Sequence, residues 1–88
     1  MTESIKKVRA SGPQIRAGRD LLRITQQQLA DAADVDIKTV SAYERADHPA
    51  FDSTADKIQE ALERRGIVFT NSDKPSVTLD RSRAIITT

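Results

Sequence analysis

The chain reads as mainly α, with a helical domain over residues 12–66 followed by a short β-hairpin over 67–80. Three observations carry that expectation. From Gly12 to Gly66 apolar residues recur at spacings of three and four, the period of amphipathic helices. Aromatic residues make up only 3% of the chain against 38% hydrophobic, which disfavours a strand-rich sandwich. After Gly66 the pattern changes to the β-prone run Ile67, Val68 and Phe69, the turn-forming TNSDKP, and the alternating Ser76 to Leu79. Eighty-eight residues are enough for one core of modest stability.

Residues 1–11 lack helical periodicity and carry Lys6, Lys7 and Arg9, so they are expected to form a flexible basic arm. Ser11 or Gly12 can cap the first helix, with Pro13 at its first position, where a missing N–H is tolerated. Along this helix Ile15, Gly18, Arg19 and Leu22 share one face with Leu21 beside them, while Arg16 and Arg23 point elsewhere. Arg19 therefore lies on or beside the buried face and needs a partner there. Thr25 and Gln28 form a capping-box pair for a second helix, with Leu29, Ala30 and Ala33 on its inner face. Asp36 is suited to cap a third helix, from about Ile37 to Arg45, with Val40 and Tyr43 inward. A loop containing His48 and Pro49 follows, and Phe51 is expected at the core edge. Ser53 and Asp56 resemble a capping box for a fourth helix. That helix should bury Ala55, Ile58, Ala61 and Leu62, expose Lys57, Gln59, Glu60 and Glu63, and carry Arg64 and Arg65 in its last turn before Gly66. The hairpin must pack on this helix, pair with another chain, or both, because two isolated strands are marginal. The tail 81–88 either adds a third strand or stays unstructured.

Two short helices around Asp34, Val35 and Asp36 make the pattern of a helix-turn-helix. Gln26, Leu29, Ala30, Val35, Val40 and Glu44, preceded by Arg19, resemble the lambda repressor/Cro-like, or xenobiotic response element, DNA-binding domains over roughly residues 12–65. The resemblance implies a four-to-five-helix fold that binds double-stranded DNA. It implies that Arg19 pairs with Glu44, locking the first helix onto the third. It also implies that Gln26 touches the DNA backbone and braces the recognition helix. Two positions depart from the family pattern, Arg23 and Asp34, where similar domains place glycine.

On the third helix the period directs Ile37, Lys38, Ser41, Ala42 and Arg45 outward, toward a major groove about 12 Å wide. Lys38 can donate to guanine, Ile37 and Ala42 can touch thymine methyls, and Ser41 can bond a base or a phosphate. Thr39 and Arg45 are better placed for the backbone. Thr25, Gln26 and Gln27 open the second helix, where N–H groups and the helix dipole favour a phosphate. Arg16 supplies a further phosphate contact, and Asp36 can accept from a cytosine amino group besides its capping role.

The net charge of +1 gives no bulk argument for a polyanion, but its distribution does. Residues 1–25 set six cations against Glu3 and Asp20, a local +4, whereas 26–66 carry −4. With no cysteine, a single histidine and no glycine-rich phosphate loop, neither catalysis, nor a metal site, nor a cofactor is expected. No apolar run approaches the roughly 20 residues of a membrane span and no signal-peptide pattern is present, so a cytoplasmic location is expected. The leading expectation is a DNA-binding repressor acting as a homodimer on an inverted repeat. The alternative is an antitoxin or other protein-interaction module, with a partner such as a toxin, built on the same scaffold.

Overall fold

The fold is given by a computed structural model, which describes residues 9–46, 52–71 and 73–84. Among these residues are α1 (Gly12–Leu22), α2 (Gln26–Ala33), α3 (Ile37–Arg45), α4 (Asp52–Glu63), β1 (Ile67–Thr70), β2 (Ser76–Leu79) and a 3-10 turn (Arg81–Arg83). The architecture is the expected one, four helices followed by an antiparallel hairpin. Lys6, Lys7, His48, Pro49, Phe51 and the end of the tail from Ile85 lie outside the described residues.

Side chains that satisfy backbone groups set the helix starts. Ser11 caps α1, its Oγ accepting from Gln14 N at 3.2 Å while Gln14 Oε1 accepts from Ser11 N at 2.8 Å. The helix thus begins at Gly12, one residue before the expected Pro13, and the proline takes the second position, where an N–H would also lack an intrahelical partner. Thr25 and Gln28 make the same reciprocal pair on α2, and Asp36 Oδ1 accepts from Lys38 N at 2.8 Å to open α3.

Both helix-turn junctions end in the same way. Arg23 and Asp34 each adopt φ 58° in the left-handed region. Ile24 N donates to Arg19 O and Arg23 N to Asp20 O. Val35 N likewise donates to Ala30 O and Asp34 N to Asp31 O, which closes a Schellman motif at each site. These are the two positions where similar domains place glycine, and the backbone adopts the glycine-favouring geometry with side chains in place.

Tyr43, Ile15, Leu29, Ile58, Leu62, Ile67 and Val40 are among the largest fully buried side chains. Val35 packs against this core beneath the α2–α3 turn. At Gly12 any Cβ would overlap the carbonyl oxygens of Tyr43 and Ala46, so only glycine lets the start of α1 press onto the end of α3. The hairpin lies mainly across α1, and only in part on α4, because Gly18 leaves room for it. A Cβ there would stand 3.2 Å from Ile67 Cγ2 and 3.5 Å from Phe69 Cζ. The register sets Ile67 opposite Leu79 and Phe69 opposite Val77, so these four share the inner face. Gln14 Nε2 donates to Thr70 O and Ser76 O, both at 3.3 Å, and pins the loop end of the hairpin to the start of α1.

Several expectations are corrected. Gln59, expected on the polar face of α4, is 0% exposed, because its Oε1 accepts from Ala10 N at 2.9 Å. The expected free arm is anchored from Arg9 onward. Arg9 Nη2 pairs with Asp56 Oδ1 at 2.9 Å, Ala10 is buried, and Ala10 O accepts from Tyr43 Oη at 2.6 Å. Asp56 is thus engaged across the fold, and since α4 already begins at Asp52, Ser53 is inside the helix and does not cap it. Arg64 and Arg65 belong to the turn after α4, which ends at Glu63. Leu21, expected beside the buried face of α1, is 44% exposed.

Replacing Arg23 and Asp34 by glycine is expected to raise stability by about 0.5–1 kcal/mol per site, since a left-handed non-glycine residue is strained by slightly more than glycine's extra chain entropy. In thermal unfolding this reads as a rise of roughly 2–8 °C per site. Burial raises the pKa of the Tyr43 phenol. A raised folded-state value means stability that is complete below the unfolded value near ~10 and is lost as pH rises through the folded one. Tyr43→Phe should therefore be less stable than the parent by about 1 kcal/mol at pH 8 through loss of the bond to Ala10 O. The gap should narrow as urea titrations are repeated from pH 9 to 12.

Candidate nucleic-acid interface

Glu44 stands at the centre of the helix-turn-helix. It sits in the third turn of α3, and its side chain is 4% exposed. Arg19 Nε donates to its Oε2 at 2.7 Å and Arg19 Nη2 to its Oε1 at 3.1 Å, a bidentate fork. Gln26 Nε2, in the first turn of α2, adds a third hydrogen bond to Oε1 at 3.0 Å. The remaining face of the guanidinium is also used, since Arg19 Nη1 donates to Ile24 O at 3.0 Å in the α1–α2 turn. Hydrogen bonding to Glu44 raises the Arg19 pKa above its already high ordinary value, so the guanidinium stays charged. One carboxylate therefore ties α1, the turn, α2 and α3 to one another.

This brace holds the outward face of α3. With Val40 and Tyr43 buried, Lys38, Ala42 and Arg45 are exposed, Ile37 is 37% exposed, and Thr39 and Ser41 are half-buried at the edges of the row. Asp36 is exposed at the head of α3, occupied as its N-cap. At the start of α2, Thr25 is exposed and takes part in its capping box. Gln27 is exposed and donates to Asp31 Oδ1 at 2.9 Å, and Gln26 is turned inward onto Glu44. Gln26 Nε2 is therefore engaged with the recognition helix, and its exposed neighbour Gln27 keeps the freer side chain. Arg16 stands apart on α1 with a side chain 70% exposed, in long-range contact with Asp20 at 4.0 Å along its own helix.

Sequence reasoning missed three supports of this face. Gly12 permits the contact of α1 with the end of α3, Gln14 couples the α1 cap to the hairpin, and the Ala10–Tyr43 bond holds the entering chain to α3 from behind. Of these only Gln14 had a readable signal, the S-x-x-Q spacing of a capping box from Ser11. The other two depend on contacts between segments far apart in the chain.

Two capped helices joined by a tight turn, with the second presenting a polar, solvent-facing row, define a helix-turn-helix DNA-binding domain. A helix-turn-helix family model matches residues 15–66, more than half of the chain, and the chain belongs to that lambda repressor/Cro-like family of DNA-binding domains. No curated protein and no solved structure matches the chain. Among the described residues no group of side chains is arranged to hold a metal ion, and no helix is long and apolar enough to cross a membrane.

Glu44→Ala leaves the Arg19 guanidinium, whose side chain is only 15% exposed, without its bidentate partner and with only the exposed Asp20, 3.6 Å from Nη1, as an anion. Breaking one side of such a pair should cost about 3 kcal/mol, measured as a lower urea midpoint. Gln26→Ala removes one bond to the same carboxylate and should cost about 1 kcal/mol.

Proposed function

We propose that the protein is a sequence-specific transcriptional repressor of the cytoplasm that binds an inverted repeat as a homodimer and blocks the promoter it covers. The observation that carries this reading is the exposed row Ile37, Lys38, Ala42 and Arg45, flanked by Ser41 and Thr39, on a helix braced from behind through Glu44. Lys38 and Ser41 read base edges, Ile37 and Ala42 meet thymine methyls, and Arg45 and Thr39 approach phosphates. Thr25, Gln26 and Gln27 present the head of α2 to the backbone, Arg16 adds a charge contact from α1, and Asp36 lies where a cytosine amino group can donate to it. Dimerisation is supported by the hairpin, a sheet of two strands among the described residues, whose edge a second copy can extend. A dimer would set two recognition helices about 34 Å apart, in successive major grooves.

Selection of bound duplexes from a random pool, followed by gel-shift titration at 50 and 200 mM salt, tests the reading. An inverted repeat whose affinity falls by orders of magnitude with salt is the expected result. A chain that binds duplexes no better than any polyanion, yet forms a stable complex with a protein such as a toxin, would instead be an interaction module. Within the docking described, Lys38→Ala should relax preference at one base position with a loss of roughly 1–3 kcal/mol. Arg16→Ala should weaken all sequences alike and flatten the salt slope by about one.

A further inference from the structure

The open end of the hairpin, where Ile67 pairs with Leu79, meets the end of α1 at a depression of about 330 Å³. Its apolar wall is Leu21, Leu22, Leu79 and Ala84, and its rim is Arg23, Arg65 and Arg81. All three arginines are exposed and none forms an ion pair with a carboxylate among the described residues. Arg65 uses Nη1 to donate to Ala61 O at 3.1 Å, which fixes the side chain and leaves its other donors free. On the far side of Arg65 lies a second depression of about 440 Å³, lined by Ile24, Gln28, Asp31 and Ala32.

We propose that this surface docks an acidic, amphipathic peptide segment of a partner protein, with apolar side chains entering beside Leu21 and Leu79 and carboxylates facing Arg23, Arg65 and Arg81. Two adjoining depressions that share one arginine suit an elongated occupant better than a compact one. Unpaired guanidiniums around an apolar floor call for carboxylates on an apolar backbone, because arginine clusters bind acidic motifs in bidentate geometry. Asp31 in the second depression keeps the acidic positions to the first. A second copy of the chain fits poorly, since a two-fold contact would set these three like charges against themselves. A phosphate backbone would engage the arginines and leave Leu21 and Leu79 without a role. None of these residues belongs to the DNA-facing row, so the partner can bind while the recognition helix is occupied.

The test selects from a random 12-residue peptide library displayed against the immobilised full chain, with synthetic winners titrated by fluorescence anisotropy. Peptides combining leucine or phenylalanine with aspartate or glutamate are expected. They should bind the parent at least tenfold tighter than a folded Arg65→Glu/Arg81→Glu variant, and Leu21→Ser should weaken them similarly. Converting a peptide's carboxylates to amides should cost a comparable factor on the unaltered protein, which keeps the test decisive if a variant does not fold. Winners indifferent to both the arginine and the carboxylate changes would overturn the proposal. So would a tenfold loss of duplex affinity in the double variant, which assigns the arginines to phosphates. Dissociation of the chain's own dimer by Leu21→Ser, read by sedimentation, would make the occupant a second copy.

Discussion

Glu44 accepts three hydrogen bonds inside the domain, two from Arg19 and one from Gln26, with a side chain only 4% exposed. An ion in that position is tolerable only because every donor around it is fixed in advance. Arg19 is fixed by its place on α1 and by its bond to Ile24 O, and Gln26 by the capping box that starts α2 one residue earlier. The carboxylate in turn sets how α3 is rotated about its axis, and so which side chains leave the surface. Any shift of α1, of the first turn or of α2 is felt at α3 through this one group. The orientation of the outward row thus follows from a buried interaction that need not touch a ligand at all.

The same dependence explains why the two turns are built alike. For Arg19 to reach Glu44 and for Gln26 to enter beside it, the chain must reverse direction abruptly after Leu22 and again after Ala33. Both reversals close a helix with a left-handed residue and paired 6→1 and 5→2 hydrogen bonds, at Arg23 and at Asp34. Each non-glycine residue there stores strain of about 1 kcal/mol. That strain persists because the flanking helices are fixed by caps on one side and by the core on the other. A stabilising change at these positions would leave the outward row of α3 as it is, since neither side chain contributes to it.

Much of this was legible in the sequence, and the exceptions share a cause. The caps at Thr25 and Asp36, the buried Leu29, Ala30, Val40 and Tyr43, and the placement of Arg19 on an inner face all follow from local spacing, which one helix dictates by itself. The identity of Arg19's partner came from the family resemblance, because nothing in the spacing alone selects Glu44 over another acid. Gln59 is instructive in the other direction. Its position, four residues after Ala55 and three before Leu62, places it on the buried face, and only its chemistry suggested solvent. Its partner, Ala10 N, lies 49 residues away, and satisfying a backbone donor is what makes a buried amide acceptable. Gly12 and the Arg9 to Asp56 pair likewise exist only once distant segments meet.

The exposed face combines weak positive character on α3 with acidic Asp34 and Asp36 at the turn, so the helix-turn-helix alone carries little net attraction for a polyanion. What the helix-turn-helix itself offers is geometry, a rigid row placed accurately. Rigidity is where the hairpin enters, because Gln14 joins the cap of α1 to Thr70 and Ser76 while Gly18 lets Ile67 and Phe69 close over the same helix. Fixed along its outer side by the hairpin and along its inner side by Glu44, α1 has little freedom to transmit disorder to α3. In a domain with modest charge complementarity, that lowered entropy of the free state is the part of binding free energy the fold itself can supply.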